Sequence, residues 1–265
     1  MNNTVLITGG SNGIGRELAK LFAKDGYDLV IVSRNQQNLE STAIMLRADY
    51  GIKVTTISKD LFNPHSSAEL YESLISKNIH IDVLVNNAGH GAYGLFAEND
   101  LKKQQDIIQL NITSLVTLTH LFLKDMLEAG HGKILNLSSI ASQVPGPWQA
   151  VYHATKSFVQ SFTEAIRSEV KDKGIVVTAL LPGITDTDFF NKADMLNSKS
   201  VQDRTKMADP AKVALDGYEA LMKGDDKVIS GFKNKVQAGI SSILPEESSA
   251  DMIKKQQEPK DEFNE

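Results

Sequence analysis

Tyr152 and Lys156 stand four residues apart in a stretch, Val151 to Lys171, that carries apolar residues at helical spacing. On a helix both side chains emerge on one face, one turn apart. A phenol with a free pKa of about 10 is a poor acid or base at neutral pH, but an adjacent ammonium stabilises its anion and lowers that pKa toward the working range. Such a pair can give or take the proton of a carbonyl or alcohol oxygen, although the same spacing also occurs on surface helices. Ser139 follows the apolar run Lys133 to Ser138. At the carboxyl end of a strand in an open parallel sheet, where ligands bind, it can orient a substrate oxygen or simply cap the strand.

A second set of residues suits a dinucleotide. The run Val5 to Thr8 leads into Gly9-Gly10-Ser11-Asn12-Gly13-Ile14-Gly15, and a helix-period segment (Ile14, Leu18, Leu21, Phe22) begins at once. Glycines at 9, 13 and 15 permit a tight turn, close approach of a pyrophosphate to bare backbone, and close packing of helix on strand, with the helix N-terminus facing the phosphates. At the end of the run Asp28 to Ser33, where an acid would accept hydrogen bonds from the adenosine ribose, the sequence has Ser33 and then Arg34. A small hydroxyl beside a guanidinium holds a 2′-phosphate through charge-assisted bonds, so NADP(H) is expected in preference to NAD(H). The bland alternative is that Arg34 only starts the next helix on a solvated face.

These groups need a frame. Six β-rich runs (Val5 to Thr8, Asp28 to Ser33, Lys53 to Ser58, Asp82 to Val85, Lys133 to Ser138, Ile175 to Leu181) alternate with longer helix-period segments. Parallel strands require crossovers, usually helical, so the pattern predicts an α/β fold, a parallel sheet between two helix layers. A short helix is expected from Pro210 to Lys223, with Asp209 as its cap.

Composition removes several functions. The 265 residues, 41% hydrophobic, suffice for one large domain with a substantial core. A net charge of -5 without a basic stripe argues against nucleic acid as a partner. No cysteine is present. Thiolate nucleophiles, Cys-ligated zinc and disulfides are therefore excluded, and a reducing, cytoplasmic setting is expected. The six histidines show no ligand spacing, so no metal is expected. No run reaches the roughly 18 uninterrupted apolar residues of a membrane span, so no membrane partner is expected either. The last twenty residues, Glu246 to Glu265, hold seven acids against three lysines and read as a mobile acidic tail.

Taken in order, Thr8-Gly9-x-x-x-Gly13-x-Gly15, Asp60-Leu61, Asn86-Asn87-Ala88-Gly89, Ser139 with Tyr152-x-x-x-Lys156, and Pro182-Gly183 followed by Thr185 and Thr187 resemble the short-chain dehydrogenase/reductase family over roughly residues 3 to 230. The resemblance implies a single doubly wound Rossmann-type domain, residues 1–245, with about seven parallel strands in the order 3-2-1-4-5-6-7. It implies a hydride transfer between NADP(H) and a small carbonyl or secondary alcohol, with Tyr152 as general acid or base. Asp60 and Leu61 would contact the adenine, Asn87, Ala88 and Gly89 would lie along the cofactor, and Pro182, Gly183, Thr185 and Thr187 would line the nicotinamide. Ser11, Asn12 and Ile14 join the phosphate loop, and Tyr152 and Lys156 the cofactor contacts. Asn111 matches the position that holds a water in a proton relay to Lys156, giving the set Asn111, Ser139, Tyr152 and Lys156. A homodimer or homotetramer through Leu101 to Leu127 and Val151 to Lys171 is implied as well. The rival is a noncatalytic NADP(H)-sensing protein on the same fold, but such proteins usually lose Tyr or Lys of the pair.

Substrate choice is expected to lie in residues 184–207, where Phe189, Phe190, Met195 and Leu196 give a lid with an apolar face, and in the loop Ser142 to Trp148. Trp148 either roofs the pocket or packs its own loop. His153, about 100° round the helix from Tyr152, reads as packing or surface; His90, directly after Asn-Asn-Ala-Gly, either borders the substrate pocket or, in the favoured reading, is a solvated loop residue.

Overall fold

The structure, a computed structural model, describes residues 3–241 and 245–260. Seven strands, β1 (Thr4–Thr8), β2 (Asp28–Ser33), β3 (Val54–Ser58), β4 (Val83–Asn86), β5 (Gly132–Leu137), β6 (Ile175–Leu181) and β7 (Lys227–Ile229), form one parallel sheet in the order β3-β2-β1-β4-β5-β6-β7. The fold class and strand order are those the sequence and its resemblance lead one to expect. The helices are α1 (Gly13–Lys24), α2 (Gln36–Tyr50), α3 (Ser66–Ser76), α4 (Leu101–Ile108), α5 (Leu115–Ala129), α6 (Ala150–Val170), α7 (Phe189–Lys192), α8 (Pro210–Lys223), α9 (Phe232–Ser241) and α10 (Glu246–Gln257).

Alternation along β1 shows how the layers arise. Val5 and Ile7 face one side, where they pack with Leu18 and Phe22 of α1, Leu39 and Leu46 of α2, and Val213 and Leu221 of α8. Leu6 faces the other side, with Leu70 and Leu74 of α3, Phe122 and Met126 of α5, and Val170 of α6. Both faces of the sheet are therefore covered, which is why its strands read as continuous Val, Ile and Leu runs.

Local signals set the helix ends. Asp209 accepts the Ala211 N–H at 2.9 Å, Pro210 opens α8, and Gly224 closes it at φ 81°. Asn35 accepts the Asn38 N–H at 2.9 Å at the start of α2.

Between α4 and α5 the chain runs as a π-helix, Gln109–Ser114. The 29 residues Leu101–Ala129 are together long and apolar enough to cross a membrane, but Leu118, Phe122 and Met126 are buried against the sheet.

β1 pairs with β2 on one side and β4 on the other, so the connections leave its two neighbours in opposite directions. A crevice opens at the carboxyl ends of such strands.

The expected acidic tail is a helix over much of its length. Residues 246–257 form α10, and the chain beyond is held where the Lys199 N–H donates to the Glu258 carbonyl at 3.0 Å and the Lys260 N–H to the Asn197 carbonyl at 2.8 Å. Within α10, Ser249 and Ile253 are buried. Three of the tail acids, Asp261, Glu262 and Glu265, lie outside the described residues.

Candidate active site

A cavity of about 1220 Å³ runs along the carboxyl ends of the strands, from the glycine loop after β1 to α10. Every residue singled out for the cofactor lines it except Gly15, and Ser139, Tyr152 and Lys156 line it too.

Backbone makes the dinucleotide end. Gly9 and Gly13 have φ of +68° and +50°, which L side chains rarely adopt. Gly15 sits behind the wall because it packs helix on strand: a Cβ there would stand 2.3 Å from the Gly9 carbonyl oxygen and 2.4 Å from Asn87 Nδ2. Asn87 fastens that turn by donating from Nδ2 to the Thr8 and Gly9 carbonyls at 2.9 and 3.1 Å. The first turn of α1 holds no acid, and Asn12 gives it no side-chain cap. Its N–H groups are thus left to an anion.

At the adenosine side Ser11 Oγ donates to Ser33 Oγ at 3.0 Å. The Arg34 guanidinium lies 4.8 Å from the centre of the Phe62 ring, a support the sequence reading missed. Lys59 also lines this end but is held by Glu69 at 2.7 Å, which pulls the Glu69 carboxyl below its usual range. These residues, the bare-backbone loop included, fit a dinucleotide.

The proton-handling groups come from two elements. Ser139 follows β5; its Oγ donates to the Pro182 carbonyl at 3.4 Å and accepts from the Ala141 N–H at 3.1 Å. Tyr152 and Lys156 project from α6 as their spacing requires, with Lys156 Nζ 5.8 Å from the centre of the Tyr152 ring. Lys156 is buried and donates from Nζ to the Leu137 carbonyl at 2.8 Å.

Electrostatics here correct one expectation. Burial pushes the Tyr152 phenol up to about 12, with only the Ser139 hydroxyl pulling it back, while burial brings the Lys156 ammonium down to about 8. Burial opposes the lowering expected from the lysine, because desolvation disfavours the phenolate and the ammonium alike.

Asn111 lies on the π-helix behind the cavity wall, buried. Its Nδ2 donates to the His90 carbonyl at 2.9 Å and to Thr155 Oγ1 at 3.0 Å, and its Oδ1 accepts from the His90 N–H at 2.9 Å. A Cβ on Gly89 would stand 3.5 Å from both Asn111 Oδ1 and Lys156 Nζ. Glycine there leaves the two groups facing one small gap.

The substrate end is built from side chains. Ile184, Phe189, Phe190 and Met195 of the 184–207 segment line it, as expected for three of the four lid residues. Leu196 does not; it is 48% exposed. Trp148 also stays off the lining: at φ 71° it stacks on Tyr93, ring centres 5.6 Å apart. His90 takes the pocket-bordering alternative over loop solvation: it is half-buried on the lining, edge-on to Phe62, and burial holds its pKa below the usual value.

Gln149 and His153, together with Ile253, Gln256 and Gln257 of α10, complete the wall. Sequence spacing could not find Gln257, since its partners His153 and Tyr93 lie more than a hundred residues away.

The family described as short chain dehydrogenase matches residues 3–196. The chain belongs to that family. Membership places it among oxidoreductases of C=O and CH–OH groups. It is 36% identical over 179 residues to the very-long-chain 3-oxoacyl-CoA reductase of Laccaria bicolor, covering 66% of this chain and 52% of that protein. The chain thus spans about half the length of that relative. It is 31% identical over 254 residues to dehydrogenase/reductase SDR family member 7B of Danio rerio, covering 92% of this chain and 82% of the other. Among solved structures, the short-chain dehydrogenase from Sphingobium yanoikuyae in complex with NADPH superposes with a TM-score of 0.81 at 28% identity, covering 92% of this chain and 96% of that one.

Proposed function

We propose that this family member is an NADP(H)-dependent reductase of ketones or aldehydes, with Tyr152 as proton donor to the carbonyl oxygen. The observation that carries the reading is the convergence of Ser139, Tyr152 and Lys156 on the wall of the cavity that also holds the glycine loop. When bound, NADPH supplies the hydride that reaches the carbonyl carbon.

Tyr152, with a pKa near 12, keeps its proton through the neutral range and so is loaded to donate it as the oxygen gains charge. Ser139 offers a hydroxyl to the same oxygen and fixes its direction. Donation leaves a phenolate on Tyr152 and an alcohol product. Burial lowers the Lys156 ammonium, so it gives up a proton more readily than an exposed lysine, and its Nζ, 5.8 Å from the centre of the Tyr152 ring, stands near the phenol that has to be reloaded. Asn111 keeps the His90 backbone and Thr155 in place beside that lysine and faces it across the gap at Gly89.

Ser33 and Arg34, with no acid at the end of β2, support NADP(H) over NAD(H). The NADPH complex of the Sphingobium relative points the same way.

The reading is tested by following NADPH consumption over a panel of ketones and aldehydes. The parent chain should turn over at least one of them, and Tyr152→Phe should lower kcat by about 10²- to 10⁴-fold while binding NADPH nearly as well. Equal turnover by Tyr152→Phe would remove the proton donor.

A further inference from the structure

Tyr93 lies in the loop after β4, just past His90, whose N–H and carbonyl are both held by the Asn111 amide at 2.9 Å. From this fixed base it reaches three separate stretches of the substrate wall. Its N–H donates to the Ala193 carbonyl at 3.0 Å, within the 184–207 segment. Its ring stacks on Trp148, with centres 5.6 Å and planes 20° apart, while the next N–H, that of Gly94, donates to the Trp148 carbonyl at 2.9 Å. Its Oη donates to the Gln257 carbonyl at the end of α10.

Each contact fixes something that borders the cavity. Ala193 is fully buried and packs with Met195 and Val201, against which Tyr93, Phe189 and Phe190 lean. The bond to Ala193 thus sets the height of Phe189 and Met195, two residues of the lining. Trp148 is held at φ 71°, a conformation that persists in a bulky residue only where its surroundings impose it. The stack and the Gly94 bond impose it, and Gln149, the next residue, lines the cavity. The Gln257 carbonyl belongs to the last turn of α10, where carbonyls lack a donor from their own helix. Tyr93 Oη supplies one and Ser198 Oγ, at 3.1 Å, the other. That bond keeps Ile253, Gln256 and Gln257 on the lining, which Tyr93 itself does not join.

We propose that Tyr93 is a positioning residue for the substrate pocket, the anchor that holds the 184–207 segment, the Ser142 to Trp148 loop and α10 in register around bulky carbonyl substrates. The proposal rests on the reductase reading above and names what sets the size and shape of that site. Tyr93 touches neither the reacting atoms nor the cofactor wall; it acts through the elements it joins. A small ketone held near Tyr152 does not depend on the outer wall, whereas a bulky one does.

The chain contains no cysteine, so one introduced thiol reports on one place. Ser249→Cys puts it on the buried side of α10, off the cavity lining, and Ala43→Cys puts it in the core beneath α2. Labelling of each thiol is compared with Tyr93 in place and after Tyr93→Phe, which removes only the hydroxyl. The thiol of Ser249→Cys should label about fivefold faster and that of Ala43→Cys less than about twofold faster. Tyr93→Leu removes the stack as well. It should shift the emission of Trp148, the single tryptophan, to the red and raise KM for a bulky aryl ketone about tenfold. Its kcat, its NADPH affinity and its KM for a small methyl ketone should each change less than about twofold. Tyr71→Phe, which deletes a hydroxyl bonded to Asp125 at 2.9 Å off the cavity lining, should move none of these.

Equal acceleration at both thiols, or none in Ser249→Cys, overturns the proposal, as does a fall in kcat on both ketones with KM unmoved. Selective labelling and the emission shift, with no ketone consumed by the parent, uphold the anchoring by Tyr93 and sink the reductase reading instead.

Discussion

The two ends of the cavity are made of different material. At the dinucleotide end the wall is main chain: glycines at positive φ, a helix start without a side-chain cap, and a carbonyl pair tied by Asn87. At the substrate end it is side chains from three distant stretches, the residues around Gln149 and His153, the segment containing Phe189 and Met195, and α10. A wall of backbone tolerates little substitution and serves one ligand shape. A wall of side chains can change its chemistry residue by residue while the sheet behind it stays fixed. The comparison teaches that one cavity can be rigid in what it carries and adjustable in what it acts upon.

The strongest challenge to this division lies at its boundary, in Lys156. Its folded pKa, about 8, is below the usual 10.5, so between these values the unfolded chain binds the proton that the folded chain has lost. Stability of the parent should therefore rise with pH across that window relative to Lys156→Met, by up to about 3 kcal/mol, in urea unfolding from pH 7.5 to 10. A flat difference would mean that the ammonium is well solvated and the boundary wet.

On the backbone side, Gly15→Ala forces a Cβ against the Gly9 carbonyl and should cost about 2 kcal/mol in thermal unfolding and weaken NADPH as well. A neutral result there would break the claim that this end has no slack. Arg34→Ala should weaken NADPH by about tenfold in a titration and leave NADH nearly unchanged. Equal loss for both would make Arg34 a general support for the loop at Phe62.

The smallest effect is expected from removing residues 246–265. KM for a ketone substrate should rise about threefold, with NADPH affinity unchanged. A drop in NADPH binding would show that the two ends are mechanically linked.

What could be read from the sequence follows the same division. Gly9 and Gly13 announce their turn because the backbone requires glycine there, and Asp209-Pro210 fixes the start of α8 to the residue. Tyr152 and Lys156 are found together because one helical turn suffices to join them. β7 escapes notice, being three residues long with Lys227 exposed.

α10 reads as tail because Glu246, Glu247 and its lysines outweigh the few groups it buries. What holds it is a carbonyl of Gln257 reached by Tyr93, a contact across 164 residues that no local pattern reports. His153 reads as packing or surface for the same reason: its partner Gln257 is 104 residues away. The lowered pKa of Lys156 comes from burial, which spacing alone does not reveal.

The π-helix at Gln109–Ser114 has a consequence for how this gene can change length. Bonds that skip five residues give that stretch a surplus over an ordinary helix, and Ser114 Oγ and Thr117 Oγ1 take up the loosened carbonyls of Leu110 and Thr113 at 2.7 and 2.8 Å. Losing one codon anywhere in the stretch would let the helix anneal into regular α-helix. The helix on either side, back to Asp100 and onward into α5, would keep close to its present register, while residues of the stretch itself would be re-aimed by about 100°. Asn111 would lose its grip on His90, so a deletion here is expected to be far more damaging than most substitutions.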